Sequence, residues 1–307
     1  FALHLRADLT QAIYNRGLAY NDLNLLPQAI TDFDDTLTRQ PSFHPAQWAK
    51  ALCLLQMGDY KAGWPMYACR WQQDEKEFTS LALQTSVPRW QTGVYVKRLL
   101  VWAEQGVGDE LMFGGLLPQA QQMCDELLVQ IDERLVAMFH RAMPNVRFEP
   151  KHARLDVHSY DAHLALGDLP GIFCQRLEDF QSIQPAYVQA DLLRVQTLRA
   201  LLAPEGQRLC GLSWRSKNIK RGQDRSVPLK DLLLALTHQG VRLVNLQYGD
   251  VDEELIQAQA QTGIEVLQCT QVDNQQDLDG LAALIQACDL RHLSSVTEIR
   301  LNENFLP

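Results

Sequence analysis

An offset of 34 residues organises the start of this chain. Gly17 recurs as Ala51, Ala29 as Gly63 and Phe33 as Tyr67. A fixed spacing of that length marks a helix-turn-helix solenoid, in which one hairpin cannot bury its apolar face alone and must stack on the next. The constraint precedes any consideration of composition: the segment has to be α-helical, and its hairpins have to pack side by side.

The first copy spans residues 12–41, with Gly17 and Tyr20 on its first helix, Ala29 and Phe33 on its second, and Pro41 closing the unit. Small residues at 17, 29, 51 and 63 allow close approach of paired helices, while aromatics at 20, 33 and 67 fill the groove beside them. Asn24 and Gly58-Asp59 supply the turns. The spacing is that of tetratricopeptide repeats, and residues 1–11 read as the tail of an earlier one. The alternative is an ordinary pair of αα-hairpins with coincidental spacing.

The second copy carries Tyr60, Trp64, Tyr67 and Trp71 along one helical face, a stripe suited to burial against a following domain. Residues 72–96 lose the periodicity and read as a connector anchored by Trp90. From residue 97 strands and helices alternate. Residues 98–103 suit a buried parallel strand, followed by a glycine-containing loop (104–110) and a helix to about residue 123. A strand at 127–131, a helix at 133–142, short strands near 146–148 and 162–166, and an extended link at 185–188 complete a first α/β unit. A second unit reads as strand 208–214, helix 229–237, strand 242–247, helix 253–262, strand 265–267 and helix 278–288. After the start of a further strand near 289–290 the pattern stops, so 291–307 reads as an aberrant tail.

Composition excludes several classes. In 307 residues, 28 Lys and Arg stand against 37 Asp and Glu, a net charge of −9 that argues against generic nucleic-acid binding. No run approaches the ~20 apolar residues of a membrane span. The seven cysteines are dispersed without a C-x-x-C pair, which favours reduced thiols and a cytoplasmic location over disulfides or zinc. None of the eight histidines has metal-ligand spacing, so no metal is expected. The chain opens at Phe1, already in helical sequence, and is expected to be a fragment.

Five segments occur in a telling order: Gly63-Trp64-x-x-Tyr67-x-x-Arg70-Trp71, Trp102-Ala103-Glu104-Gln105-Gly106-Val107-Gly108-Asp109, Gly211-Leu212-Ser213-Trp214, Arg225-Ser226-Val227-Pro228-Leu229 and Asp277-Leu278-Asp279-Gly280-Leu281, with Leu246-Gln247 between the last two. Together they resemble bacterial tetratricopeptide-repeat glycosyltransferase-like proteins, distant relatives of heptosyltransferases and O-linked N-acetylglucosamine transferase. The resemblance covers about residues 10–290. It implies helical repeats (1–71), a connector (72–96), and a GT-B-like pair of α/β Rossmann domains: an acceptor domain at 97–190 and an incomplete nucleotide-sugar domain at 207–290. It further implies a nucleotide sugar as substrate, no separate cofactor, and a protein or saccharide acceptor recruited by the repeats. The family continues beyond residue 290 with a valine-rich strand and a further helix that close the donor pocket; the different sequence here implies a chain with little or no turnover.

Candidate residues fall in two loops. Gln105, Gly106 and Gly108 would bring backbone N–H groups to an acceptor, and Asp109 would take a proton from its hydroxyl; alternatively Asp109 only caps the helix. In the second unit, Arg215, Lys217, Lys220, Arg221 and Arg225 crowd one loop against a single Asp224, either as a diphosphate site or as a solvated basic loop. Ser213, Lys217, Arg225 and Gln247 are the nucleotide-sugar candidates; Gln247 would bond a base or sugar, or else satisfy loop backbone. Asp279 reads as the acidic first-turn residue that starts the last helix, and His292 has no assigned role. The competing class is a non-catalytic protein-interaction module in which the repeats bind peptide.

Overall fold

The computed structural model describes residues 9–72, 82–216, 226–236 and 240–293. Four helices come first: α1 (Thr10–Asp22), α2 (Leu26–Arg39), α3 (His44–Gln56) and α4 (Tyr60–Tyr67). They form two antiparallel hairpins, with α2 also packed on α3. Asn24 (φ 57°) and Gly58 (φ 81°) take the left-handed conformation that each tight turn requires. The four small residues at the repeated positions are buried, and a Cβ on Gly17 or Gly63 would stand 2.6 Å from Phe33 or Leu55 of the partner helix. Phe33, Ala29, Ala46 and Cys53 form the core of the array.

The aromatic stripe does not continue as one helix. α4 ends at Tyr67 and residues Ala68–Gln72 tighten into a 3-10 turn. Pro65 has already removed one backbone donor inside α4, and the tighter turn carries Arg70 into the interior. Tyr60 and Tyr67 are buried as expected, while Trp64 and Trp71 are half-buried.

The first sheet contains β1 (Val96–Trp102), β2 (Cys124–Ile131), β3 (Arg147–Pro150) and β4 (Ala162–Ala165), in the order β3-β2-β1-β4. β1 pairs in parallel with β2 (Leu99 opposite Leu127) and with β4 (Leu100 opposite His163). Its residues Leu99–Trp102 are all buried, which explains the unbroken apolar run. Between β1 and β2 the expected single helix is two, α5 (Val107–Gly114) and α6 (Leu117–Gln121). Gly114 and Gly115, both poor helix residues, sit at the break. α7 (Glu133–Ala142) follows β2, and a short α8 (Leu169–Phe173) follows β4.

The second sheet holds β5 (Arg208–Ser213), β6 (Val241–Asn245), β7 (Val266–Leu267) and β8 (Leu290–Leu293), in the order β7-β6-β5-β8, with parallel pairing throughout. Helices α10 (Leu229–Ala235), α11 (Asp252–Thr262) and α12 (Leu278–Ala287) lie between the strands. Trp214, Leu212, Leu233 and Leu243 are at the centre of its core.

Two sequence expectations need correction here. α9 (Leu192–Leu202) occupies a stretch with no helical reading, capped by Asp191 and packed against α12. Residues 291–293, expected to open an aberrant tail, extend β8, which pairs with β5 with Gly211 opposite Arg291. Residues 294–307 lie outside the described residues.

The chain divides into two compact units, one of residues 1–130 with 151–184 and one of residues 131–150 with 185–307. Among the described residues no helix is long and apolar enough to cross a membrane, and no group of three His, Cys, Asp or Glu is placed to hold a metal ion. None of the seven cysteines forms a disulfide among the described residues, and six are buried.

Candidate functional site

The glycine loop leaves the carboxyl end of β1, where open parallel sheets commonly bind ligands. Gln105, Gly106, Gly108 and Asp109 are therefore together, but not in the way the sequence suggests. Neither glycine has positive φ, and a Cβ at Gly106 would meet only ordinary contact, 3.7 Å from Asp109. What the glycines leave is space rather than an unusual backbone.

Asp109 sits in the first turn of α5 and accepts a hydrogen bond from Gly106 N–H at 3.3 Å. It is half-buried, and desolvation pushes its carboxyl above the usual range, opposed by that hydrogen bond and by the charge of Lys151. Capping and a raised basicity thus coexist in one group. Lys151 donates to the Gln105 carbonyl at 2.7 Å and to the Glu110 carboxylate at 3.3 Å, tying the loop to the helix it feeds.

The Gln105 side chain faces inward to partners that local sequence gave no means of finding. Its Oε1 accepts from the Tyr67 hydroxyl at 3.0 Å, and its Nε2 donates to Glu104 at 3.1 Å. Burial pushes the Tyr67 phenol up to about 12. Glu104 also accepts from Arg70, whose guanidinium reaches Asp168 at 2.6 Å; Arg89 bonds the other oxygen of Asp168 at 2.6 Å. Gly167 leaves no room for a Cβ beside Glu104 and Gln105. The signal was partly present: Arg70 and Glu104 stand in the quoted motifs, but Asp168 does not, and nothing in the sequence joins the three.

At the carboxyl ends of β5 and β6, Gln247 is almost fully buried and its Oε1 accepts three donors: Ser213 Oγ (3.1 Å), Trp214 N–H (3.0 Å) and Arg215 N–H (3.0 Å). This joins Ser213 and Gln247, and it supports the backbone-satisfying alternative for the Gln247 oxygen. Among the described residues its Nε2 has no partner, nor has Oδ1 of Asn274, whose amide nitrogen donates to the Asn245 and Gln247 carbonyls at 3.2 Å. Arg215 is committed to Glu254 at 2.9 Å. Lys217, Lys220, Arg221 and Arg225 lie outside the described residues. Asp279 is the acidic residue in the first turn of α12, as expected; Asp277 caps that helix, accepting from Gly280 N–H at 2.9 Å, and Asp279 is also gripped by Arg141 at 2.8 Å.

No family model matches the sequence. A curated relative, the protein FlbA of Caulobacter vibrioides, is 30% identical over 313 residues, covering 94% of this chain and 52% of that protein. The chain thus spans about half the length of that relative. Among solved structures, a glycosyl transferase of family 9 from Veillonella parvula covers 64% of this chain and 75% of its own, with 13% identity and a TM-score of 0.44. The O-GlcNAc transferase of Thermobaculum terrenum covers 87% and 69%, with 12% identity and a TM-score of 0.27.

Proposed function

We propose that this chain belongs to a sugar-transferring protein that passes a sugar from a nucleotide-sugar donor to a protein or saccharide acceptor. In this reading residues 1–71 are tetratricopeptide repeats that recruit the acceptor, 72–96 a connector, 97–190 the acceptor domain and 207–290 a partial nucleotide-sugar domain of GT-B type. The observation that carries it is Asp109: a half-buried carboxylate of raised pKa, following a glycine loop at the end of a parallel strand. Such a group, when ionised, is a stronger base than an exposed aspartate and suits removal of a proton from an attacking hydroxyl. Ser213, Lys217, Arg225 and Gln247 would hold the nucleotide sugar, the two cations offsetting the diphosphate as it leaves.

Calorimetric titration with UDP, together with a sugar-nucleotide turnover assay, tests the reading. Turnover by this chain is expected to be low; Asp109→Asn is expected to lower whatever turnover is measured by about 10²–10⁴, the range for loss of a general base, while UDP affinity is unchanged. Lys217→Ala is expected to weaken UDP binding. Absence of nucleotide binding would instead favour the interaction module, a role to which the loop's internal bonding to Tyr67 is equally suited.

A further inference from the structure

A cavity of about 430 Å³ opens beside the second hairpin, within the unit that carries Asp109. Its size falls in the range of small-molecule sites. Trp64 and Pro65 come from α4, Trp90 from the segment before β1, and Ile172 from α8; Arg89 and Asp168 are part of a polar lining that also includes Arg70, Gln91 and Thr92. The Trp64 indole nitrogen is committed to the Cys174 carbonyl at 2.7 Å and that of Trp90 to the Val94 carbonyl at 2.7 Å. Trp90 is 7% exposed, so the ring surface left to offer a ligand is mainly that of the half-buried Trp64.

The charges around this cavity cancel. The lining residues Arg70, Arg89 and Asp168 are joined in one network to Glu104, a buried carboxylate outside the lining that supplies the second negative charge. An anion entering here would meet no excess positive charge, and a cation no excess negative charge. Arg89 is more than half exposed and spends one nitrogen on Asp168, which leaves guanidinium N–H groups for hydroxyl oxygens. Aromatic surface with a neutral guanidinium–carboxylate lining suits a pyranose, whose C–H face is apolar and whose rim carries hydroxyls.

We propose that this cavity is a subsite for a neutral saccharide. Resting on the sugar-transfer reading, it would be the acceptor subsite, built jointly by the second helical repeat and the first α/β unit. The acceptor would then be recognised as sugar and not only as peptide.

Tryptophan fluorescence during titration with methyl glucoside, methyl galactoside and methyl N-acetylglucosaminide tests this, with glucuronate as the charged probe. At least one glycoside is expected to give a saturable change in the millimolar range. Ile172→Trp, which fills the cavity, and Arg89→Ala, at an exposed position, are each expected to weaken it by about tenfold or more, roughly one hydrogen bond's worth of affinity. Thermal melts confirm that each variant folds. The proposal is overturned by no response to any glycoside, by a response that both variants retain, or by glucuronate binding more tightly than the glucoside. UDP titration is read separately: nucleotide binding without saccharide binding sinks the subsite alone, and saccharide binding without nucleotide binding sinks the transferase reading.

Discussion

The Arg70 guanidinium lies 3.0 Å from the Glu104 carboxylate, with both side chains almost wholly removed from solvent, 2% and 1% exposed. Burial by itself would pull the arginine pKa down, but Asp168 and Glu104 more than reverse that and hold it raised. Arg70 also packs over the rings of Tyr67 and Trp71, at 4.8 and 4.3 Å from their centroids. The second hairpin is therefore fastened to the loop after β1 by a buried ion pair rather than by apolar contact alone.

Breaking that pair from one side strands a buried charge. Arg70→Met is expected to cost about 3–5 kcal/mol of unfolding free energy. The double variant Arg70→Met with Glu104→Gln should recover part of the loss, because one uncompensated carboxylate is then gone. Urea denaturation of the two single variants and the double variant closes the cycle; strict additivity would show that the two residues are energetically independent.

Close helix approach in the repeats depends on glycine at 63. Gly63→Val is expected to destabilise the chain by about 1–3 kcal/mol, since its Cβ would press on Leu55 of α3. Gly58→Ala is destabilising for a different reason, as nothing crowds that position and the cost comes from its φ of 81°. Melting temperatures of both variants should fall, and only the first should respond to a compensating Leu55→Ala.

His163 makes stability depend on pH. Burial, helped by the charge of Arg89, holds its folded pKa below the usual value, against the pull of Asp168. Trp102 Nε1 donates to His163 Nδ1 at 3.2 Å, which requires a neutral ring with that nitrogen free. A histidine whose folded pKa is depressed contributes stability above its unfolded pKa, ~6.5, which is lost as pH falls from there through the folded value. Chemical denaturation at pH 7.5 and 5.5 should show the loss in the native chain and a smaller one in His163→Gln.

Gln247 acts through its oxygen. Gln247→Ala removes the acceptor for Ser213, Trp214 and Arg215 and is expected to cost about 2–4 kcal/mol, since buried donors lose their partner. Gln247→Glu keeps the acceptor and should stay closer to the native chain at neutral pH. Equal destabilisation by both would show that the amide nitrogen matters as much as the oxygen.

The helical hairpins could be read directly because their determinants are local. Small residues at 17, 29, 51 and 63 and turns at 24 and 58 repeat along the chain, and helix geometry converts that period into one buried face. The strand and helix alternation after residue 97 was legible for the same reason, with α7 matching its expected bounds of 133–142. α9 was not, since Leu192 and Leu193 are exposed and its burial is confined mainly to Leu198 and Leu202, leaving little amphipathic signal. Only the start of β8 was legible, because its pairing with β5 joins residues about 80 positions apart. Only the tertiary structure could decide that Gln105 turns to Tyr67, that Arg70 bridges Glu104 and Asp168, and that Asp279 belongs to Arg141 while Asp277 caps α12. Sequence periodicity records which face of an element is apolar. A buried polar group must find its partner wherever the packed elements place one, and no local pattern encodes that choice.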